Sequence, residues 1–252
     1  MKCARAQDSG PYGEREWNPG IPRSRGWPRL PHTAAMTERT ATFHPRIELP
    51  ATLLALFVTI WLALAVSPIS REDWLLENLL VLISIPALAA TRQRMTFSNA
   101  SYLCLFVFFL LHSVGAHYTY SLVPYDRWWE MLSGNTLNEL FGWQRNHYDR
   151  LVHFLYGMLV LPPAVELFDR YAPSRGVWRG ILPVMFVMSH SVIYEIVEWL
   201  AALIVAPELG AAYLGTQGDH WDAQRDMALA TAGSVLSMLF LGIRGLSFRR
   251  VP

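Results

Sequence analysis

The chain has 252 residues, of which 52% are hydrophobic and 16% charged, and it carries ten tryptophans. This composition is too apolar and too poor in charge for an ordinary soluble domain, and it predicts a protein whose main partner is the lipid bilayer. The net charge of +1 excludes the strongly basic surface that is typical of nucleic-acid binding.

The N-terminal segment differs from the rest of the chain, because residues 1–35 hold five prolines, five arginines and no apolar run. A secretory signal needs an apolar core of ~7–15 residues, so none is predicted here. We predict residues 1–45 to be a disordered extension and cytoplasmic tail. Met36 is followed by Thr37-Glu38-Arg39 and also suits a natural start, in which case residues 1–35 are an over-extended reading of the gene.

Six apolar stretches follow, each close to the ~20 helical residues that cross the hydrocarbon core of a bilayer. They predict an all-α, polytopic membrane helix bundle with about six transmembrane helices in a single domain over residues 46–243. The predicted helices cover residues 49–66, 74–90, 98–116, 148–168, 180–205 and 221–243. The long connection at 117–147 holds Trp128 and Trp129 and predicts one or two interfacial helices with tryptophans at headgroup level.

The arginines predict an orientation for this bundle. If the N-terminus is cytoplasmic, the inside segments from residue 36 onwards hold ten arginines and the outside segments five. The positive-inside rule therefore favours cytoplasmic N- and C-termini, with residues 244–252 as a basic cytoplasmic tail.

Four polar pairs lie where lipid favours apolar side chains, and an ionisable group at the bilayer centre costs at least ~2.5–3.5 kcal/mol. The pairs are His112 with His117, Asp149 with His153, Glu195 with Glu198, and Asp222 with Asp226. In the predicted orientation all four lie in the outer half of the membrane. We therefore expect one outward-facing intramembrane site built by the third, fourth, fifth and sixth predicted helices.

Helical spacing leaves several interpretations open for three of these pairs. Asp149 and His153 share a helix face, so Asp149 either orients His153, joins it as a ligand or stabilises the helix N-terminus. Glu195 and Glu198 also share a face, and such close carboxylates need a proton, an arginine or a cation. For the last pair, Asp219 is predicted as the N-cap, and Arg150 and Arg225 are natural counter-ions. An ion-pair network is thus the structural alternative for the whole cluster.

The donor set contains oxygen and imidazole and no thiolate, since Cys3 lies in the tail and Cys104 in an apolar helix. It suits a divalent metal such as Zn²⁺, Mn²⁺, Fe²⁺ or Mg²⁺. The predicted metal ligands are His112, His117, Asp149, His153, Glu195, Glu198, Asp222 and Asp226, and the predicted catalytic residues are Glu195, Glu198, His153 and Asp226. Outside this set, His190 is predicted to be a satisfied core histidine and Glu166 with Arg170 an i,i+4 ion pair.

These motifs resemble the YjdF-type family of bacterial inner-membrane proteins, a domain of unknown function. The matching stretches are Leu111-His112 to Tyr118, Arg145 to Phe154, Tyr194-Glu195 with Glu198-Trp199, and Gly215 to Met227. The resemblance covers about residues 46–243 and implies a multi-spanning protein of the bacterial inner membrane. It carries no known activity with it.

A fainter likeness joins the chain to VanZ-like membrane proteins, which are associated with glycopeptide-antibiotic resistance. It rests on Asp149-Arg150 with His153-Phe154, on Glu195 with Glu198, and on Asp222 with Asp226 and Gly233. Glu198 stands where the VanZ motif usually has glutamine, so the likeness concerns architecture more than activity.

Three functions fit these observations. The first is a metal-dependent or acid–base enzyme that acts on an envelope or lipid-linked substrate. The second is a proton- or cation-coupled carrier. The third is a structural or accessory membrane protein whose polar cluster is an ion-pair network. Neither a Gly-x-Ser-x-Gly sequence nor an inverted repeat is visible, and six spans are few for a secondary transporter, which favours the first and third functions.

Overall fold

The fold is all-α over the residues that a computed structural model describes, 48–204 and 216–243, and these contain eight helices and no strand. The helices are α1 (Leu49–Leu64), α2 (Arg71–Thr91), α3 (Asn99–His117), α4 (Tyr125–Ser133), α5 (Leu137–Phe141), α6 (Tyr148–Tyr171), α7 (Trp178–Ile204) and α8 (Asp222–Ile243). The prediction of an all-helical chain is confirmed. The predicted N-terminal extension and the basic tail at 244–252 lie outside the described residues.

Four of these helices, α2, α3, α6 and α7, are long and apolar enough to cross a membrane. Helix α1 is apolar but has 16 residues, or about 24 Å at 1.5 Å per residue, which is short of a ~30 Å hydrocarbon core. Helix α8 has 22 residues but carries Asp222, Arg225 and Asp226 in its first two turns. All six predicted helices are thus present, and four of them are membrane spans by length and composition.

Serines cap the N-termini of α2 and α3. Ser70 accepts the N–H of Asp73 at 3.2 Å at the start of α2, and Ser98 accepts the N–H of Ser101 at 3.2 Å at the start of α3. At α3 the carboxylate of Glu166 adds a second cap, because it accepts the Ser98 N–H at 2.8 Å and the Ser101 hydroxyl at 2.7 Å. The predicted pairing of Glu166 with Arg170 is therefore wrong, since the Ser98 N–H and the hydroxyls of Ser98 and Ser101 donate to this carboxylate instead.

Helix α6 lies at the centre of the bundle and packs against α3, α7 and α8. Its closest contact is with α8, where a Cβ added to Gly157 would collide with the carbonyl oxygen of Ala230. In the same way a Cβ on Gly233 would collide with the carbonyl oxygen of Phe154. The two backbones touch through these glycines, as in membrane helix pairs with small residues at the interface. One turn before this contact, the polar residues at the start of α6 and α8 come together.

Two short helices, α4 and α5, occupy the long connection that the sequence assigned to interfacial helices. They end at Gly134 and Gly142, whose φ values of 80° and 66° are left-handed and suit glycine at a helix C-terminus. Helix α4 leaves Trp128, Trp129 and Leu132 exposed. Such exposed aromatic and aliphatic side chains are typical of a helix that lies on a membrane surface, and this location stays a prediction.

Candidate functional site

Three side chains from α6 and α8 meet at one end of the bundle. Asp149, His153 and Asp226 each offer one donor atom, and these atoms all lie within 4.8 Å of one another. Glu195 of α7 reaches the same place, because its Oε1 is 3.6 Å from Nε2 of His153, which is itself 3.5 Å from Oδ1 of Asp149. These four residues form what we call the acidic cluster.

The acidic cluster is buried and short of hydrogen-bond donors. Asp226 is 2% exposed and Glu195 9% exposed. Oδ1 of Asp226 and Oε1 of Glu195 have no hydrogen-bond partner among the described residues. Asp149 lies in the first turn of α6, whose N-cap residue His147 makes no side-chain cap and whose first N–H is accepted by the side chain of Asn146. Buried carboxylates without partners are costly, so this group needs protons or a bound cation to balance it.

A separate ion-pair network takes up the other acids at the start of α8. Arg145 binds Asp222 with both guanidinium ends, Nη1 to Oδ1 at 2.8 Å and Nη2 to Oδ2 at 3.4 Å. Arg150 bridges the two acids, with Nη2 at 2.5 Å from Oδ2 of Asp219 and 3.2 Å from Oδ1 of Asp222. Arg225 also pairs with Asp219. Both oxygens of Asp222 are therefore engaged by arginine, which leaves this predicted metal ligand outside the acidic cluster.

Asp219 organises the entry into α8. Its Oδ1 accepts the N–H of Trp221 at 3.1 Å, immediately before the helix begins. This hydrogen bond, followed by the charges of Arg225 and Arg150, holds the pKa of the Asp219 carboxyl below its ordinary value. Asp219 was predicted as the N-cap, but it lies three residues before the first helical residue, Asp222, where it closes the turn that leads into α8 and joins the ion-pair network.

The two α3 histidines make structural hydrogen bonds. The Nε2–H of His112 donates to the backbone carbonyl of Glu77 at 3.0 Å, and Nδ1 accepts the Tyr120 hydroxyl at 2.5 Å. Nδ1 of His117 is bonded to the carbonyl of Leu64 at 2.7 Å, at the end of α1. Both ring nitrogens of His112 are thus occupied, so metal binding by this predicted ligand would break an existing hydrogen bond.

Two further residues considered from the sequence, Glu198 and His190, lie outside the acidic cluster. Glu198 lies one turn beyond Glu195 on α7, is partly buried and is not one of the three grouped donors. His190 is exposed, not buried, and its ring stands edge-on to Phe186 with centroids 4.2 Å apart. The prediction of a satisfied core histidine is therefore wrong, because this face of α7 borders a cavity instead of a packed neighbour.

Helix α2 contributes two buried acids and a buried amide that were not predicted from the sequence. Asp73, Glu77 and Asn78 are all buried. Oε2 of Glu77 accepts the Tyr194 hydroxyl at 2.8 Å, and Oδ1 of Asn78 accepts the Trp61 indole N–H at 2.5 Å. Asp73 and Glu77 have the same i,i+4 spacing as the pairs that were recognised, and this spacing was the available signal.

A reciprocal amide contact joins the segment before α6 to the segment before α8. The Asn146 N–H donates to Oε1 of Gln217 at 2.9 Å, while Nε2 of Gln217 donates to the Asn146 carbonyl at 3.0 Å. The Asn146 side chain in turn donates to the Val123 carbonyl at 2.8 Å and accepts the Tyr148 N–H at 2.9 Å. The segments leading into α6 and α8 are therefore held together just before the residues of the site.

A cavity of about 630 Å³ lies between α2, α3, α6 and α7. Asp149 and His153 line its polar end, together with Glu77, His112, Tyr120 and Tyr194. Most of the remaining wall is aliphatic or aromatic. The acidic cluster is thus reached from a large and mainly apolar space inside the helix bundle.

Comparison with known proteins agrees with this architecture. The chain matches the family described as "Predicted membrane protein (DUF2238)" over residues 49–246. It is 35% identical over 189 residues to the inner membrane protein YjdF of Escherichia coli (strain K12), covering 73% of this chain and 86% of that protein. No solved structure matches the chain. The YjdF-type resemblance is confirmed, while the fainter VanZ likeness stays a prediction.

Proposed function

The chain belongs to the DUF2238 family of predicted membrane proteins, and on that premise we propose that it is a metal-dependent enzyme acting on a lipid-linked or envelope substrate. One observation carries the proposal. Asp149, His153 and Asp226 bring three donor atoms within 4.8 Å of one another, and no arginine pairs with any of the three in the part of the chain described. A divalent cation would supply the missing positive charge.

The donor chemistry supports a catalytic metal. Two carboxylates and one imidazole suit Zn²⁺, Mn²⁺, Fe²⁺ or Mg²⁺. Catalytic sites commonly use three protein ligands and leave a coordination position open to substrate. Asp149 and His153 border the cavity, whereas Asp226 is buried behind them, so an open position would face the cavity. A cation held there would polarise a phosphoryl or carbonyl oxygen of the substrate.

Glu195 is the candidate general base. Its Oε1 lies 3.6 Å from Nε2 of His153 and has no hydrogen-bond partner among the described residues. A carboxylate in this position is close enough to take a proton from water or substrate beside the metal. Among the predicted catalytic residues, we therefore assign His153 and Asp226 to metal binding and Glu195 to proton transfer. Glu198 supports Glu195 from the next turn.

The ion-pair network supports a structural role for the rest of the predicted site. Asp222 is saturated by Arg145 and Arg150, and Asp219 by Arg150 and Arg225. These charge-assisted hydrogen bonds, of which the Arg145–Asp222 contact is the most buried, fix geometry without offering a free ligand. We assign this network to joining the segment before α6 to the start of α8.

We also propose six membrane spans with both termini in the cytoplasm and the acidic cluster on the outer side of the inner membrane. The arginine distribution supports this orientation. The similar Escherichia coli protein, named as an inner membrane protein, supports the location. A cysteine placed at His220 should react with an impermeant maleimide added to intact cells. Reaction only after the cells are opened would overturn the orientation.

Elemental analysis tests the metal site. Wild-type protein purified in detergent should carry one divalent metal per chain, while His153→Ala and Asp226→Asn should lose it. His190→Ala is the matched control, because His190 borders the same cavity away from the cluster. A wild-type protein that stays metal-free after exposure to Zn²⁺, Mn²⁺, Fe²⁺ and Mg²⁺ contradicts the proposal.

Catalysis is tested separately. Metal-loaded protein incubated with extracted inner-membrane lipids should change the mass of at least one lipid, and Glu195→Gln should abolish that change while keeping its metal. If the wild type binds metal but leaves every lipid unchanged, the site is not that of a lipid-modifying enzyme.

A further inference from the structure

The cavity beside the acidic cluster is long as well as large. Its wall along α2 runs from Leu76 to Thr91, which is about 22 Å at 1.5 Å per residue. This exceeds half of a ~30 Å hydrocarbon core, so the cavity is deeper than one leaflet. Its volume of about 630 Å³ lies within the ~300–1,000 Å³ that is typical of ligand sites.

The polarity of the cavity is strongly one-sided. Carboxylates and hydrogen-bonding rings are gathered at the end that holds Glu77, Asp149 and His153. Beyond that end the described wall carries no carboxylate, and its one basic side chain is His190. An occupant that matches this wall has a polar head at the cluster and a long apolar chain.

The cavity opens sideways between α2 and α7. Leu79 and Ile83 of α2, with Ile193 and Val197 of α7, line the cavity and are 48–68% exposed. Helix α2 packs mainly against α3, and the Tyr194 hydroxyl reaches Glu77 across the gap at the polar end. These rim residues lie on spans that are apolar enough to cross a membrane, so the opening faces the acyl chains of the bilayer.

We propose that this cavity binds one hydrocarbon chain of a membrane lipid, which enters between α2 and α7 and places its headgroup at the acidic cluster. The headgroup part of this inference rests on the proposed function, because an anionic phosphate beside buried carboxylates requires the bound cation. Binding of the hydrocarbon chain is inferred from the shape and polarity of the cavity alone. A chain that enters from the bilayer leaves one apolar environment for another, so its binding depends on van der Waals packing of its methylenes against this wall.

A photoreactive lipid tests the inference. The protein is reconstituted into vesicles of phosphatidylethanolamine and phosphatidylglycerol, in which some phosphatidylglycerol carries a diazirine at the end of one acyl chain. After illumination, mass spectrometry should find lipid adducts on Val160 and Ala164 of α6, which line the cavity wall.

Cavity-filling variants give the contrast. Ala87→Trp narrows the cavity from α2, and Ile83→Trp obstructs the opening from an exposed position that leaves the protein core untouched. Either change should lower the adducts on Val160 about tenfold, because the indole occupies space that the acyl chain would fill and several van der Waals contacts are lost. Ala90→Trp, one turn further along α2 and outside this cavity, should label as wild type does.

Several outcomes overturn the inference. Unchanged labelling of Val160 in both variants excludes the cavity as the binding site, and so do adducts confined to outer side chains such as Leu82. Cross-links at this wall from residues 1–47 or from a second copy, in place of lipid, assign another occupant. Metal content is measured on the same samples, so the two proposals fail separately. Lipid labelling without metal contradicts the proposed metal site alone, whereas bound metal without labelling contradicts the chain-binding cavity.

Discussion

The hydroxyl of Tyr194 donates a 2.8 Å hydrogen bond to Oε2 of Glu77, and this bond joins α7 to α2 across the polar end of the cavity. Glu77 is buried, so its carboxylate has little access to water in place of this donor. The backbone carbonyl of the same residue accepts a hydrogen bond from His112. Glu77 therefore connects α2 to both α3 and α7.

Removing that hydroxyl should destabilise the protein. Tyr194→Phe leaves Oε2 of Glu77 without its donor, and the expected loss is about 1–3 kcal/mol in the free energy of unfolding. Reversible denaturation in mixed detergent micelles measures it. Tyr171→Phe is the control, because the Tyr171 hydroxyl also donates a hydrogen bond, to the Arg94 carbonyl, but is exposed. The two single losses of Tyr194→Phe and Glu77→Gln should not add in the double variant.

Two aspartates one turn apart on α8 should respond in opposite ways. Asp226→Asn should abolish metal binding and, in the presence of a chelator, raise the unfolding temperature because one uncompensated buried carboxylate is removed. Asp222→Asn should keep the metal and lower the unfolding temperature, since it weakens the contacts with Arg145 and Arg150. Metal content and thermal unfolding measured on both variants give the comparison. Equal metal loss in both would show that Asp222 is a ligand after all.

The arginines of the ion-pair network should differ in how much each contributes to the free energy of unfolding. Arg145→Ala removes a two-ended contact to the buried Asp222 and is expected to cost about 3 kcal/mol of unfolding free energy. Arg225→Ala is the matched control. Its side chain is 54% exposed, so the ion pair with Asp219 should contribute at most about 1 kcal/mol. Similar losses in the two variants would contradict the distinction between buried and exposed pairs.

The contact between α6 and α8 should tolerate no added methyl group. Gly157→Ala and Gly233→Ala each place a Cβ against a backbone carbonyl of the other helix, and we expect losses of about 3 kcal/mol or more in unfolding free energy. Gly180→Ala is the control, because its Cβ would meet only the flexible Met238 side chain, at 3.3 Å. The first two variants should also release the metal, since the contact positions His153 beside Asp226.

Acid should weaken the start of α8. The pKa of Asp219 is lowered in the folded protein, so the unfolded chain binds its proton first as the pH falls. The stabilisation by Asp219 is therefore complete above the ordinary aspartate pKa of about 3.9 and is lost as the pH falls through the lower, folded value. The difference in unfolding temperature between wild type and Asp219→Asn should shrink below about pH 4. Glu130→Gln, at an exposed position of α4, should show no such narrowing.

Helix positions follow from apolar length, and cap chemistry explains the misses. Helix α2 starts at Arg71, three residues before the predicted start at Trp74, because Ser70 caps it and two acids favour its first turn. Hydropathy alone places the start of the helix at its first apolar residue, Trp74. The early start of α2 also explains why Glu77 was not predicted as a site residue. With the helix starting at Trp74, Glu77 lies in its first turn, whereas the observed start at Arg71 places it about one turn further into the helix, where it is buried.

Local spacing also explains what was predicted about the site. The i,i+4 rule brought Asp149 and His153 onto one face, and topology brought Asp226 to the same end of the bundle. Spacing within one helix does not predict which ion-pair partners come from distant parts of the sequence. Arg145 contacts Asp222 across 77 residues, and only the folded chain shows that this acid is neutralised whereas Asp226 is not.

The Gln217 side chain pairs with both backbone groups of Asn146 and so ties the segment before α8 directly to the segment before α6. The arginine pairs of Asp222 and the close backbone approach at Gly157 and Gly233 continue this connection along α8. The position of Asp226 beside His153 therefore follows from a series of contacts that begins at Gln217.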